Sequence, residues 1–286
     1  MKDYVVYGDT DSLYINMGGF IDGQIGTDWH KLPDDKKIFY IKKLSAIIED
    51  NVNSKSYRET QRKFYNSNDT DFRILFKQEV IAKSALFISK KRYAMWNVDE
   101  EGAPVDKIKN IGLEIVRSET PVSIKPKLKE LVSMILRNVP DSELKTKMSA
   151  YKSELFKAPP HEICVNIGIT DIEKYSDSKG DAVKGAPWHV KGALNYRKLL
   201  KILHLEDKYE NISAGGKAKV VYLKKNQYNM DTITFHRWPV EFDEIIQIDY
   251  NRLIENFFTN KAEMLLSPMG KVALLNAKET SIDMFF

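Results

Sequence analysis

The segment that most constrains folding lies near the start of the chain. Val5-Val6-Tyr7 and Leu13-Tyr14-Ile15 are short β-prone runs, and Gly8-Asp9-Thr10-Asp11-Ser12 lies between them. A Gly/Asp turn between β formers predicts a hairpin. Its tip carries two carboxylates, at i and i+2, within one small volume. Like charges held that close are costly unless a cation neutralises them. Hard oxygen donors suit Mg²⁺, which binds one or two carboxylates together with substrate phosphates. A pair of such ions activates an attacking oxygen and stabilises a leaving one. Asp9 and Asp11 are therefore candidate metal ligands and catalytic residues for phosphoryl or nucleotidyl transfer. A bare Asp-x-Asp is more often a plain turn. The whole hexamer with its β-prone flanks is the more specific signal.

The chain has 286 residues, which suggests about two domains. Hydrophobic residues make up 43% and charged residues 29%, as in ordinary globular proteins. Collagen-like, low-complexity and largely disordered readings are excluded. The single cysteine, Cys164, rules out an internal disulfide, and within Ile163-Cys164-Val165 it reads as a small core residue. No apolar run approaches the roughly 20 residues of a membrane span, and the N-terminus lacks a signal-peptide core. A soluble, cytoplasmic protein with no membrane partner is expected. Net charge is +4, too mild to name a partner, but residues 181–225 hold ten Lys/Arg against four Asp/Glu. A local basic segment suits nucleic-acid phosphates; a solvated surface is the plain alternative.

Along the chain, the apolar stripe Ile38, Ile41, Leu44, Ile47, Ile48 and Val52 predicts a helix over 35–53. Residues 72–76 with 80–82 read as one strand, and 85–88 and 92–96 as two more, with a turn at 100–104. Near Pro121 the pattern turns helical. Helices are expected over 127–136 and 141–156, with breaks at Pro140 and at Ala158-Pro159-Pro160. A short basic helix is expected over 196–203, a strand over 217–222 and a helix over 249–258. The fold class is α+β: a partial antiparallel sheet followed by a mostly helical region, with the boundary near Ser118.

Val6-Tyr7-Gly8-Asp9-Thr10-Asp11-Ser12-Leu13-Tyr14 resembles the catalytic palm motif, motif C, of family B DNA polymerases. Phe76-Lys77-Gln78-Glu79-Val80-Ile81 resembles the strand with a further palm acid, matched by Glu79; Lys77 stands where phage relatives often carry another. Lys90-Lys91-Arg92-Tyr93 resembles the K-x-Y motif, so Lys91 and Tyr93 match residues that contact the primer near its 3′ end. Ile111 to Pro121, with Arg117 and Ser118, resembles the palm–thumb junction. Trp188-His189-Val190-Lys191-Gly192-Ala193-Leu194-Asn195-Tyr196 and Gly216-Lys217-Ala218-Lys219-Val220 resemble thumb segments along the duplex. Overall spacing is most similar to polymerases of T-even-like phages. The resemblance implies 1–117 as the C-terminal part of a palm, 118–275 as a thumb and 276–286 as a clamp-binding tail. Lys91 as a solvated edge lysine, His189 as a structural histidine, and Lys191, Arg197, Lys198, Lys217 and Lys219 as surface charge are the bland readings beside this.

Glu279-Thr280-Ser281-Ile282-Asp283-Met284-Phe285-Phe286 resembles the peptide that plugs such polymerases into a sliding clamp, with Ile282, Phe285 and Phe286 as anchors. Glu279 stands where the general box has Gln, and a tail folded back on the chain is the alternative. The resemblance implies Mg²⁺, primer–template DNA and dNTPs. The first palm motif, the fingers helix and the exonuclease all precede motif C in that family, and nothing in this chain resembles them. An incomplete active site is therefore expected. An N-terminal polymerase subunit would complete it, and Met1 just before the motif C strand favours a separately started chain. A non-catalytic primer–template- and clamp-binding module is the alternative function.

Overall fold

The computed structural model describes residues 4–25, 29–65, 74–113, 115 and 120–276. The chain divides into two compact units, Met1–Ile111 and Gly112–Phe286. The fold is α+β, and all of the sheets described are antiparallel.

The first unit opens with the expected hairpin, β1 (Val5–Asp9) and β2 (Ser12–Ile15). Asp9 pairs with Ser12 and Tyr7 with Tyr14, so Thr10-Asp11 is a two-residue turn. Helix α1 (Met17–Ile25) follows. The predicted helix is longer than its apolar stripe: α2 (Asp34–Asn51) passes through a wide π turn at Val52–Ser56 into α3 (Tyr57–Tyr65). A meander of β3 (Val80–Ser89), β4 (Arg92–Glu100) and β5 (Ala103–Ile111) completes the unit. The expected turn is Glu101-Gly102, with φ of 51° and 89°. Positive φ at both central positions matches the right-handed twist of the flanking strands.

Two strand expectations are corrected here. Residues 80–82 and 85–88 form one continuous strand, and 74–79 forms no strand with the described residues. The Phe76 N–H donates to Asn53 Oδ1 at 2.7 Å, and Asn53 Nδ2 donates to the Phe76 carbonyl at 2.8 Å. Glu49 accepts the N–H of Gln78. The π turn thus offers an Asn side chain that satisfies the backbone groups a sheet would otherwise take. Phe72 and Arg73 lie outside the described residues.

The second unit begins with α4 (Ile124–Leu136) and α5 (Asp141–Lys157), broken at Pro140 and Pro159 as expected. Their buried faces carry Leu128, Leu131, Val132, Leu144, Met148 and Leu155. After the short α6 (Pro160–Ile163) come β6 (Val165–Gly168), α7 (Trp188–Ile202), β7 (Lys217–Tyr222) and β8 (Thr232–Phe235). The strands form a three-stranded sheet in the order β6-β7-β8. This region is therefore less purely helical than its sequence suggests. Helix α7 starts eight residues earlier than predicted. Gly192, which weakens the helical pattern, sits at a close approach to the sheet: a Cβ there would lie 2.9 Å from Thr234 N. Helix α8 (Tyr250–Ile254) runs through a second π turn, Glu255–Thr259, into α9 (Asn260–Leu266), and α10 (Ala273–Asn276) ends the described chain. Among the described residues no helix is long and apolar enough to cross a membrane.

Candidate active site

Two tight hairpin turns meet in the first unit. One is Thr10-Asp11; the other is Lys90-Lys91, between paired Ser89 and Arg92. Each holds a residue other than glycine at positive φ: Thr10 at 46° and Lys91 at 60°. A β-branched residue there is an outlier, and such strain, of order 1–3 kcal/mol, persists only where the surroundings impose it.

Four rings impose it. Tyr7 and Tyr14 are cross-strand partners on the first hairpin, and Phe87 and Tyr93 on the second. All six ring pairs among these four have centroids 5.2–5.6 Å apart. Contacts of this kind are worth about 0.5–1.5 kcal/mol each beyond their buried area. The Tyr14 and Tyr93 hydroxyls are 2.8 Å apart. The Lys91 N–H donates to the Tyr7 hydroxyl, also at 2.8 Å.

Asp9 lies two residues after Tyr7, on the same face of β1. The Lys91 ammonium reaches to 3.6 Å from its Oδ1, and the Thr10 hydroxyl donates to the same oxygen at 3.2 Å. Asp11 is exposed at the tip. A cation thus already stands beside one carboxylate of the pair. Two carboxylates at one hairpin tip, Asp11 exposed and Asp9 partly so, fit Mg²⁺ as a partial ligand set, because this ion keeps waters and substrate phosphates in its shell. Among the described residues, no three His, Cys, Asp or Glu side chains cluster in a way that could hold a metal.

Glu79 does not join the pair. It is exposed and precedes β3, and its carbonyl accepts the N–H of Glu101 at the end of the hairpin away from Lys91. The length of β3 places it roughly 30 Å along the strand from that turn. Tyr93 also differs from the expectation of a DNA-facing ring. It is only 8% exposed, its hydroxyl is taken by Tyr14, and burial raises its pKa well above the ordinary tyrosine value. Lys91 is the exposed member of the motif, at 63%.

In the second unit the basic residues separate into two groups. Lys191 pairs with Asp231 at 2.9 Å, and Lys198 with Asp181 at 2.6 Å. Arg197 donates to the Ile212 carbonyl and pairs with Glu173. Lys217 and Lys219 alternate with buried Ala218 and Val220 along β7. They therefore share the outward face, and no carboxylate pairs with either among the described residues. His189 is half-buried in the first turn of α7, and burial lowers its pKa. Tyr196 is fully buried, which removes it from any surface. Cys164 is buried, and burial pushes its thiol up to about 11. Arg117, Ser118, Ile282, Phe285 and Phe286 lie outside the described residues.

No protein-family model matches the chain. Two curated phage proteins do. The DNA-directed DNA polymerase of Enterobacteria phage T4 is 24% identical over 100% of the chain and 32% of its own length. The DNA-directed DNA polymerase of Escherichia phage RB69 is 26% identical over 91% of the chain and 30% of its own length. The chain is similar to phage DNA polymerases. It spans about a third of the length of these relatives, and the likeness along the whole chain supports a family B relationship.

Sequence reasoning singled out Asp9, Asp11 and Lys91 and missed Tyr7, Tyr14 and Phe87. A usable signal was present for the first two. Counting outward from the turn pairs Tyr7 with Tyr14, and facing aromatic pairs stabilise strands. Phe87 sits beside a register irregularity between Phe87 and Ser89, which defeats such counting.

Proposed function

We propose that this chain is the C-terminal part of a family B DNA-directed DNA polymerase. The observation that carries the reading is the carboxylate turn Asp9-Thr10-Asp11 locked against the Lys90-Lys91 turn. Asp9 and Asp11 would hold Mg²⁺, which when bound supplies charge stabilisation to the attacking and leaving oxygens of nucleotidyl transfer. A further carboxylate comes from residues outside this chain, and Glu79 has no place in the set. Lys91 holds the primer strand near its 3′ end, and the Tyr14–Tyr93 pair fixes the strand that carries it. The second unit, with Lys217 and Lys219 outward, grips the duplex backbone without reading sequence. Residues 279–286, through Ile282, Phe285 and Phe286, dock on a sliding clamp.

Exposed apolar side chains support a partner that completes the first unit. Val5, Val6 and Leu13 are open on the β1–β2 hairpin, and Ile74 and Leu75 before β3. Helix α2 buries no residue completely. An apolar surface of this kind marks a binding face, and an N-terminal polymerase part carrying exonuclease, fingers and the first palm motif would cover it.

Primer extension by the chain mixed with such a part tests the reading. Extension is expected with the wild-type chain and a loss of several orders of magnitude with Asp9→Ala or Asp11→Ala. Undiminished extension by either variant would remove the metal assignment. A clamp pull-down with and without residues 279–286 tests the tail, and equal retention would sink that part. The distance of Glu79 from the pair favours a second reading, a primer–template- and clamp-binding module without catalysis. Tight primer–template binding with no extension in any mixture would establish it.

A further inference from the structure

The Lys90-Lys91 turn is held from outside its own hairpin. Lys91 sits at φ 60°, where a side chain is disfavoured, and its N–H bonds to a group outside the hairpin. The acceptor for that N–H is the Tyr7 hydroxyl, at 2.8 Å. Tyr7 belongs to β1, two residues before Asp9 and on the same face. Its ring has little freedom, being packed against Tyr14, Phe87 and Tyr93. The other two hydroxyls of the cluster bond to each other, and the Tyr7 hydroxyl serves the turn.

We propose that Tyr7 is a positioning residue whose hydroxyl sets the Lys90-Lys91 turn, and with it the Lys91 ammonium, over the Asp9 carboxylate and the path of the primer strand. A single oxygen thereby fixes the distance between the strand that carries the carboxylates and the lysine that grips the primer. Without it the Lys91 N–H turns to water, the strained turn relaxes, and a long, mobile side chain loses its aim. Groups that orient a substrate need placement to within about half an ångström. The inference rests on the polymerase reading, and in particular on Lys91 as a primer contact.

Tyr7→Phe removes the hydroxyl and keeps the ring. In the polymerase assembled with its N-terminal part, Tyr7→Phe is expected to weaken equilibrium primer–template binding about fivefold, the worth of one net hydrogen bond. KM for primer–template should rise by the same factor and kcat should hold. The same substitution made on top of Lys91→Ala should cost nothing more, because the side chain being aimed is gone. Amide exchange should quicken at Lys91 in Tyr7→Phe while Ile81 in the same sheet keeps its protection. An unchanged affinity in Tyr7→Phe, or an equal loss in both backgrounds, would overturn the positioning role. Lys91→Ala with undiminished primer affinity would instead overturn the primer reading of Lys91, and the inference with it.

Discussion

The Lys91 ammonium stands 3.6 Å from the Asp9 carboxylate, across two hairpin turns that lie 80 residues apart in sequence. An ammonium beside that oxygen repels a second cation, so the lysine weakens metal binding at Asp9 without having to leave. The pair is partly exposed and worth about 0.2–1 kcal/mol. Lys91→Ala should therefore tighten Mn²⁺ binding to the chain by up to about fivefold, read by electron paramagnetic resonance of the free ion. Asp9→Asn and Asp11→Asn should each weaken it strongly. Mn²⁺ binding that is indifferent to both asparagine substitutions would show that the ion does not sit at this turn.

The part of this site that sequence revealed is the part built from neighbours. Gly8-Asp9-Thr10-Asp11-Ser12 carries its own turn chemistry, and Pro140 and Pro159 stand in the breaks between helices, where a residue without a backbone N–H is tolerated. What stayed hidden depends on contacts between distant positions. Asn53 clasps Phe76 where a strand is expected, in a segment that forms no strand with the described residues. The Tyr93 hydroxyl bonds to that of Tyr14, 79 positions away in sequence. Gly192 is disfavoured inside a helix by propensity, and only the fold shows Thr234 against it, in a helix that starts at Trp188.

The outward lysines of β7 differ from Lys191 in their neutralisation. A lysine that already has a carboxylate partner releases fewer counterions when DNA arrives. Lys217→Gln and Lys219→Gln should each reduce the slope of log affinity against log salt by about one. Lys191→Gln, which leaves Asp231 unpaired, should reduce it less. Duplex binding at a series of salt concentrations measures the slopes. Equal reductions for all three would mean that the Lys191–Asp231 pair opens in the complex.

Alkaline pH should find a specific weakness. Burial raises the pKa of Tyr93, Tyr151, Tyr196 and Tyr250 from the ordinary value of 10.0, that of Tyr196 to about 12. A raised folded-state pKa means that ionisation favours the unfolded chain. The contribution is fully present below pH 10 and is lost as pH climbs through the folded values. Tyrosinate absorbance followed beside circular dichroism should show these four ionising only together with unfolding. Ionisation of every tyrosine near pH 10, ahead of any loss of structure, would refute the burial argument.

Gly192 should be irreplaceable for reasons of space alone. A Cβ at this position would meet Thr234 Oγ1 at 2.5 Å, Thr234 N at 2.9 Å and the Ile233 carbonyl carbon at 3.0 Å. Two of these are backbone atoms of a strand whose residues are all buried, so neither can step aside. Helix α7 would have to lift, breaking the bonds from the Thr232 and Thr234 hydroxyls to the carbonyls of Trp188 and His189. Alanine normally favours a helix over glycine by about 1 kcal/mol, and overpacking of this kind costs about 1–3 kcal/mol. Gly192→Ala should accordingly destabilise the second unit, by up to about 2 kcal/mol, in urea unfolding. It should also weaken duplex binding, because β7, which bears Lys217 and Lys219, shifts with its partner β8. A stabilising effect, the result expected from helix propensity alone, would show that the helix and sheet do not approach this closely in solution.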